Sequence, residues 1–250
     1  MSKKILLVAM SLLCVAVLAV GGTLAYFTDK DSATNVMTLG GVDIIQNEQE
    51  RTEDGSLEDF TQDKPLMPAV DTREDKTANP IVNGYFDPAY KNVVDKIVTV
   101  TNEHGENEKN KDAYVRTIIA FETATEYVEN SEEIRRGPVE IFNTYIGVVG
   151  KGLTYTDIVV EIDGVQYVIA YKVYEDALAP GQTTEPSLKQ VFMSPDADNE
   201  ITELFMNTYT ILALSQGTQT AGFDSAEVAL NTAFGEINAE NCAAWLAEVE

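Results

Sequence analysis

The chain has 250 residues, 44% hydrophobic and 23% charged, which is enough apolar material for one medium-sized core with appendages. Lys and Arg total 17 against 41 Asp and Glu, a net charge of −24, so the clustered cations that nucleic-acid binding needs are missing. The same self-repulsion favours solubility.

Lys3 and Lys4 precede an apolar run of 16 residues, Ile5 to Val20, followed by Gly21, Gly22 and then Thr23-Leu24-Ala25. This layout reads as a secretory signal peptide over residues 1–25, cleaved between Ala25 and Tyr26. The run is shorter than the roughly 20 residues that cross a bilayer, so membrane contact is expected to be transient. Cys14 lies inside this segment behind Leu13, where a lipoprotein pattern has a small residue. Cleavage leaves Cys242 alone, so no intrachain disulfide is expected, and its neighbours Ala243, Ala244 and Trp245 predict burial.

Residues 26–250 read as a single domain. Val36 to Ile45 is β-prone and interrupted by Gly40-Gly41, whereas residues 46–80 are dominated by Glu, Asp, Gln, Thr and Lys and read as a long acidic loop. Within that loop, Leu66 to Val70 is an apolar island expected to lie extended across the domain. Val94 to Val100 is rich in β-branched residues, and Tyr114 to Thr123 alternates so that Val115, Thr117, Ile119 and Phe121 share a face. Tyr155 to Ile162 and Val165 to Tyr174 flank Asp163-Gly164, which predicts a hairpin with a type I′ turn. Residues 178–182 read as a turn and Thr208 to Ser215 as a strand. Helices are expected near 199–206, from Ser225 to Gly235 with Asp224 as N-cap and Glu227 closing a capping box, and after Asn238. Many strands with a few short helices predict a mainly β protein, an antiparallel sandwich.

The boundary segment reads GGTLAYFTDKDSATNVMTLGGVDI over residues 21–44. It resembles the export and maturation segment of the TasA/camelysin family, with Gly21, Gly22, Thr23, Ala25, Phe27, Asp29, Thr38, Gly40, Val42, Asp43 and Ile44 matching. VTVTNE (98–103), KDAYVRT (111–117) and LAPGQTT (178–184) resemble later pieces of the same family. The likeness is loose over 46–80 and 125–155. It implies a jelly-roll-like sandwich, export handled by a dedicated signal peptidase, and a place at the cell surface or in biofilm matrix. It also implies fibre assembly in which the N-terminal strand of one subunit completes the sheet of the next, a form of β-strand addition. The donor in this chain would be residues 36–45, with Val36, Met37, Leu39, Val42 and Ile44 as its apolar side chains and the partner another copy or a related matrix subunit. Val42 and Ile44 fall on one face if that stretch is extended.

Camelysin carries a metallopeptidase label, so catalytic patterns bear on the reading. Zinc peptidases place two His one helical turn apart with a Glu beside them, whereas His104 is the single His of this chain and lies in a polar loop. Gly-x-Ser-x-Gly is absent, as is a Leu-Pro-x-Thr-Gly sorting motif. No catalytic residue, cofactor or stoichiometric zinc is expected. Asp196, Asp198 and Glu200 alternate like the start of a calcium loop, but Ile201 and Asn207 stand where such a loop has Gly and Glu, so a helix start after Pro195 is the preferred reading. Tyr155, Tyr167, Tyr171 and Tyr174 could form a glycan platform, against ordinary use on strands. The expectation is therefore an exported structural protein. A monomeric surface binding module for a glycan or protein is the alternative, with a metal-dependent peptidase behind it.

Overall fold

The computed structural model describes residues 36–39, 41–61, 64, 66–103, 111–129, 134–205 and 209–249. The signal segment 1–25, the Ala25–Tyr26 cleavage position and His104 lie outside the described residues. In chain order the strands begin with β1 (Val36–Leu39), β2 (Ile44–Arg51) and β3 (Leu57–Asp59). Four two-residue strands follow: β4 (Val70–Asp71), β5 (Ile81–Val82), β6 (Tyr85–Phe86) and β7 (Tyr90–Lys91). Then come β8 (Val93–Asn102), β9 (Ala113–Thr123), β10 (Tyr127–Glu129), β11 (Ile134–Arg136), helix α1 (Pro138–Tyr145) and β12 (Ile146–Gly150). The rest is β13 (Thr154–Ile162), β14 (Val165–Leu178), β15 (Leu188–Met193), α2 (Asn199–Leu204), β16 (Ile211–Gln219), α3 (Ala226–Phe234) and α4 (Ala239–Leu246).

Two five-stranded sheets form the domain, one in the order β1-β16-β9-β14-β13 and the other β12-β15-β8-β2-β3. The chain crosses between them at β1–β2, β8–β9, β9–β12 (by way of β10, β11 and α1), β12–β13, β14–β15 and β15–β16, so most successive long strands lie in opposite sheets. This is the mainly β, jelly-roll-like sandwich expected, and every long pairing except β1–β16 is antiparallel. Val98, Ile119, Phe121, Val168, Leu188 and Met193 fill the space between the sheets, and α1 adds Ile141, Phe142 and Tyr145. Among the described residues, no helix is long and apolar enough to cross a membrane.

Local chemistry accounts for most element ends. Asp163 (φ 50°) and Gly164 (φ 82°) both lie in the left-handed region, as a type I′ turn requires, and Ile162 pairs with Val165. Asn238 caps α4, its side chain accepting from the amide of Asn241. For α3 the cap is one residue later than expected, since Ser225 rather than Asp224 accepts from Val228 N. Helix α1 falls in a stretch for which the sequence predicts no element; Pro138 starts it at a position where the missing amide costs nothing.

Residues 46–80 are not one acidic loop. Gln46 to Arg51 belong to β2, which lies between β8 and β3 in the second sheet. Beyond Ile44, the buried side chains of this strand, Gln46 and Glu50, are polar and partnered, which hid it from a reading based on apolar alternation. Gln46 bonds across to β16, Glu48 pairs with Lys96, and Glu50 pairs with Lys64. The apolar island does lie across the domain: Leu66 and Ala69 are buried, and Ala69 N donates to Met193 O at 2.9 Å.

Candidate functional site

The N-terminal segment expected as one donor strand is divided between the two sheets. Val36 to Leu39 forms β1 at the edge of the first sheet, whereas Ile44 and Ile45 begin β2 inside the second. Gly41 (φ 74°) sits in the passage between them, where glycine adopts the left-handed backbone without a Cβ penalty. The chain therefore passes from one sheet to the other between β1 and β2, with Gly41 on that passage. Val42 and Ile44 share one buried cluster with Val100, Ala113 and Val115, so they are fixed parts of the core.

β1 runs parallel to β16, with Val36, Met37, Thr38 and Leu39 opposite Ser215, Gln216, Gly217 and Thr218. All four residues are half-buried. Val36 packs on the inner cluster around Val42 and Ile44, and Met37 packs on the outer cluster beneath α4. Gly217 permits this arrangement: a Cβ there would lie 2.9 Å from Ile44 Cδ1 and 3.1 Å from its Cγ2. Beside it, Gln46 ties the sheets together. Its Nε2 donates to Ala213 O at 3.0 Å, and its Oε1 accepts from Ser215 Oγ at 2.7 Å.

From β1 a polar chain leads under the C-terminal helices. Gln216 Nε2 contacts Met37 Sδ at 3.3 Å, and Gln216 Oε1 accepts from Arg116 Nε at 2.6 Å. Arg116 also donates to Asn231 Oδ1 at 2.8 Å and to Gly235 O at 2.9 Å, and its guanidinium lies 5.1 Å from the Trp245 ring centre. The side chain is 1% exposed, and burial lowers its pKa to about 10. Cys242, buried as expected and unpaired in any disulfide, has its thiol pushed up to about 11, chiefly by burial. The outer face of β9 thus carries Arg116, Ile118 and Ala120 under α3 and α4, so β9 is covered on both faces. Sequence reasoning missed Arg116 as a site residue. Its signal was a lone cation inside the apolar run VRTIIAF.

The remaining candidate residues are dispersed. Asp196, Asp198 and Glu200 are all exposed, and Asp198 Oδ1 accepts from Ile201 N as the cap of α2, the helix start preferred over a calcium loop. Among the described residues, no group of three or more His, Cys, Asp or Glu side chains gathers to hold a metal ion. The four tyrosines form no platform. Tyr167 and Tyr171 pack under the C-terminal helices, Tyr174 packs on the inner cluster, and Tyr155 is exposed beside Phe142. No protein-family model, no curated protein and no solved structure matches the chain.

Proposed function

We propose that this chain is an exported structural protein of a bacterial cell surface or biofilm matrix, a subunit that assembles by exchanging β1 with a neighbouring copy or a related subunit. The resemblance of residues 21–44 to the TasA/camelysin segment motivates the reading. The observation that carries it is β1 itself: four residues, at a sheet edge, paired parallel where the other strand pairs of the two described sheets are antiparallel, and tethered through Gly41. A strand bonded along one side only is more readily withdrawn than an interior one, and parallel pairing is slightly weaker per residue. The neighbour's β1 would restore the same contacts, which makes exchange inexpensive at equilibrium. No metal, cofactor or catalytic residue takes part in this reading.

The donor is thereby narrowed from residues 36–45 to 36–39. Val42→Asp or Ile44→Asp would charge the core and unfold the monomer, whereas Met37→Asp would place its charge on the half-buried edge strand, against Gln216 and the outer cluster. The test compares chains starting at Tyr26 and at Gly41, which keeps β2 whole. Electron microscopy is expected to find filaments for the first and none for the second, with both folded by circular dichroism. Equal filament formation removes β1 as the donor. Filaments from neither chain, at any ionic strength or pH, would favour the monomeric binding module.

A further inference from the structure

Beside Arg116 lies a cavity of about 220 Å³ between the outer face of the first sheet and the loop that joins α3 to α4. Its walls include Tyr171, Val173, Glu227, Asn231 and Glu236. Arg116 and Val173 are cross-strand partners on neighbouring β9 and β14, so they present side chains to the same face. Three donor groups of the guanidinium are engaged, Nε, Nη1 and Nη2, and all three acceptors are neutral: Gln216 Oε1, Asn231 Oδ1 and Gly235 O. A guanidinium carries five N–H donors, so two remain. Among the described residues, no carboxylate forms an ion pair with Arg116. A fully buried cation held only by neutral groups is costly, and an anionic group entering the cavity would offset that cost.

The rim has the opposite sign. Glu227, in the first turn of α3, and Glu236, just after Gly235, line the same cavity and are exposed. Together with a net charge of −24 they disfavour a simple anion. A simple cation would meet the buried guanidinium. A ligand carrying both signs a short distance apart satisfies both ends. The volume is below the roughly 300–1,000 Å³ of pockets for drug-sized ligands, which limits the occupant to a small molecule. Tyr171 and Val173 offer it an apolar wall.

We propose that this cavity binds a free α-amino acid, its carboxylate on Arg116 and its ammonium at Glu227 and Glu236. The site belongs to the helical cap and does not depend on strand exchange. Titration calorimetry of the intact chain with glycine and L-leucine tests it, against 4-methylpentanoate and 3-methylbutylamine, which each keep one charge of leucine. Saturable binding of at least one amino acid is expected at one per chain, with both singly charged analogues about tenfold weaker or worse than L-leucine if leucine is the binder. Glu227→Gln with Glu236→Gln changes exposed side chains only and is expected to weaken amino-acid binding about tenfold, without weakening 4-methylpentanoate. Arg116→Gln is expected to abolish amino-acid binding; should it fail to fold, the rim variant still decides. Absence of binding by both amino acids overturns the proposal. So does 4-methylpentanoate binding as tightly as L-leucine, or a rim variant that binds normally.

Discussion

Single buried polar side chains fix how the two sheets meet. Gln46 is the clearest case, because both ends of its amide are used on β16, and Ser215 Oγ in turn lies 3.2 Å from Thr117 Oγ1. Gln46→Ala leaves the Ala213 carbonyl and Ser215 hydroxyl without that partner inside the core. The expected cost is about 2–3 kcal/mol, read from the urea midpoint. Combined with Ser215→Ala, the loss should be less than the sum of the two single losses, since they share one bond. Cys242 gives a second prediction at this scale. Its thiol stays protonated in the folded chain up to about 11, against an ordinary value of 9.0. Between those values the folded state binds more protons than the unfolded state, so stability falls as pH rises through this window. Cys242→Ala should make the midpoint less dependent on pH between about 9 and 11; an unchanged slope would refute the assignment.

At the scale of elements, turns and caps set where strands and helices stop. The β13–β14 hairpin turns on two residues with positive φ, and β14 then carries the pairing to β9 at the centre of the first sheet. Gly164→Val forces a β-branched residue into the left-handed region and is expected to cost about 1–2 kcal/mol. Asp163→Asn should be nearly neutral, because Asn tolerates the same backbone. Chemical denaturation of the two variants side by side checks the difference. β2 illustrates the opposite case, an element whose pattern was concealed. Ile44, Gln46 and Glu50 are buried on one face, yet two of the three are polar and depend on partners from β16 and on Lys64. An alternation of polar residues reads as loop until those partners are known.

At the scale of the molecule, charge governs encounter between copies. With a net charge of −24, copies of the chain repel one another at low salt, and the Debye length falls from about 30 Å at 0.01 M to about 10 Å at 0.1 M. If β1 is exchanged between copies, assembly followed by light scattering should accelerate as ionic strength rises. The strand exchange itself is made of hydrogen bonds and apolar contacts that salt does not screen, so the fibres once formed should persist. Assembly that slows with added salt would mean that attraction between charges, not strand exchange, holds the copies together.

Patterns local in the chain were determined by the sequence alone: the strand rich in β-branched residues around Val94 to Val100, the alternating strand around Tyr114 to Thr123, the Asp163-Gly164 hairpin, the Asn238 cap, the burial of Cys242 and the mainly β class. Each rests on backbone preference or on alternation within a few residues. Relations between distant segments were decided only by the tertiary structure. β1 and β2 lie in different sheets, with Ile44 of β2 set against Gly217 of β16, a contact no local pattern encodes. The outer face of β9 is buried because α3 and α4 fold back over it, and that same cover turns Arg116 from an ordinary strand cation into a buried guanidinium beside a cavity. Burial and pairing are properties of neighbours in space, and a side chain's chemistry changes when those neighbours take it out of water.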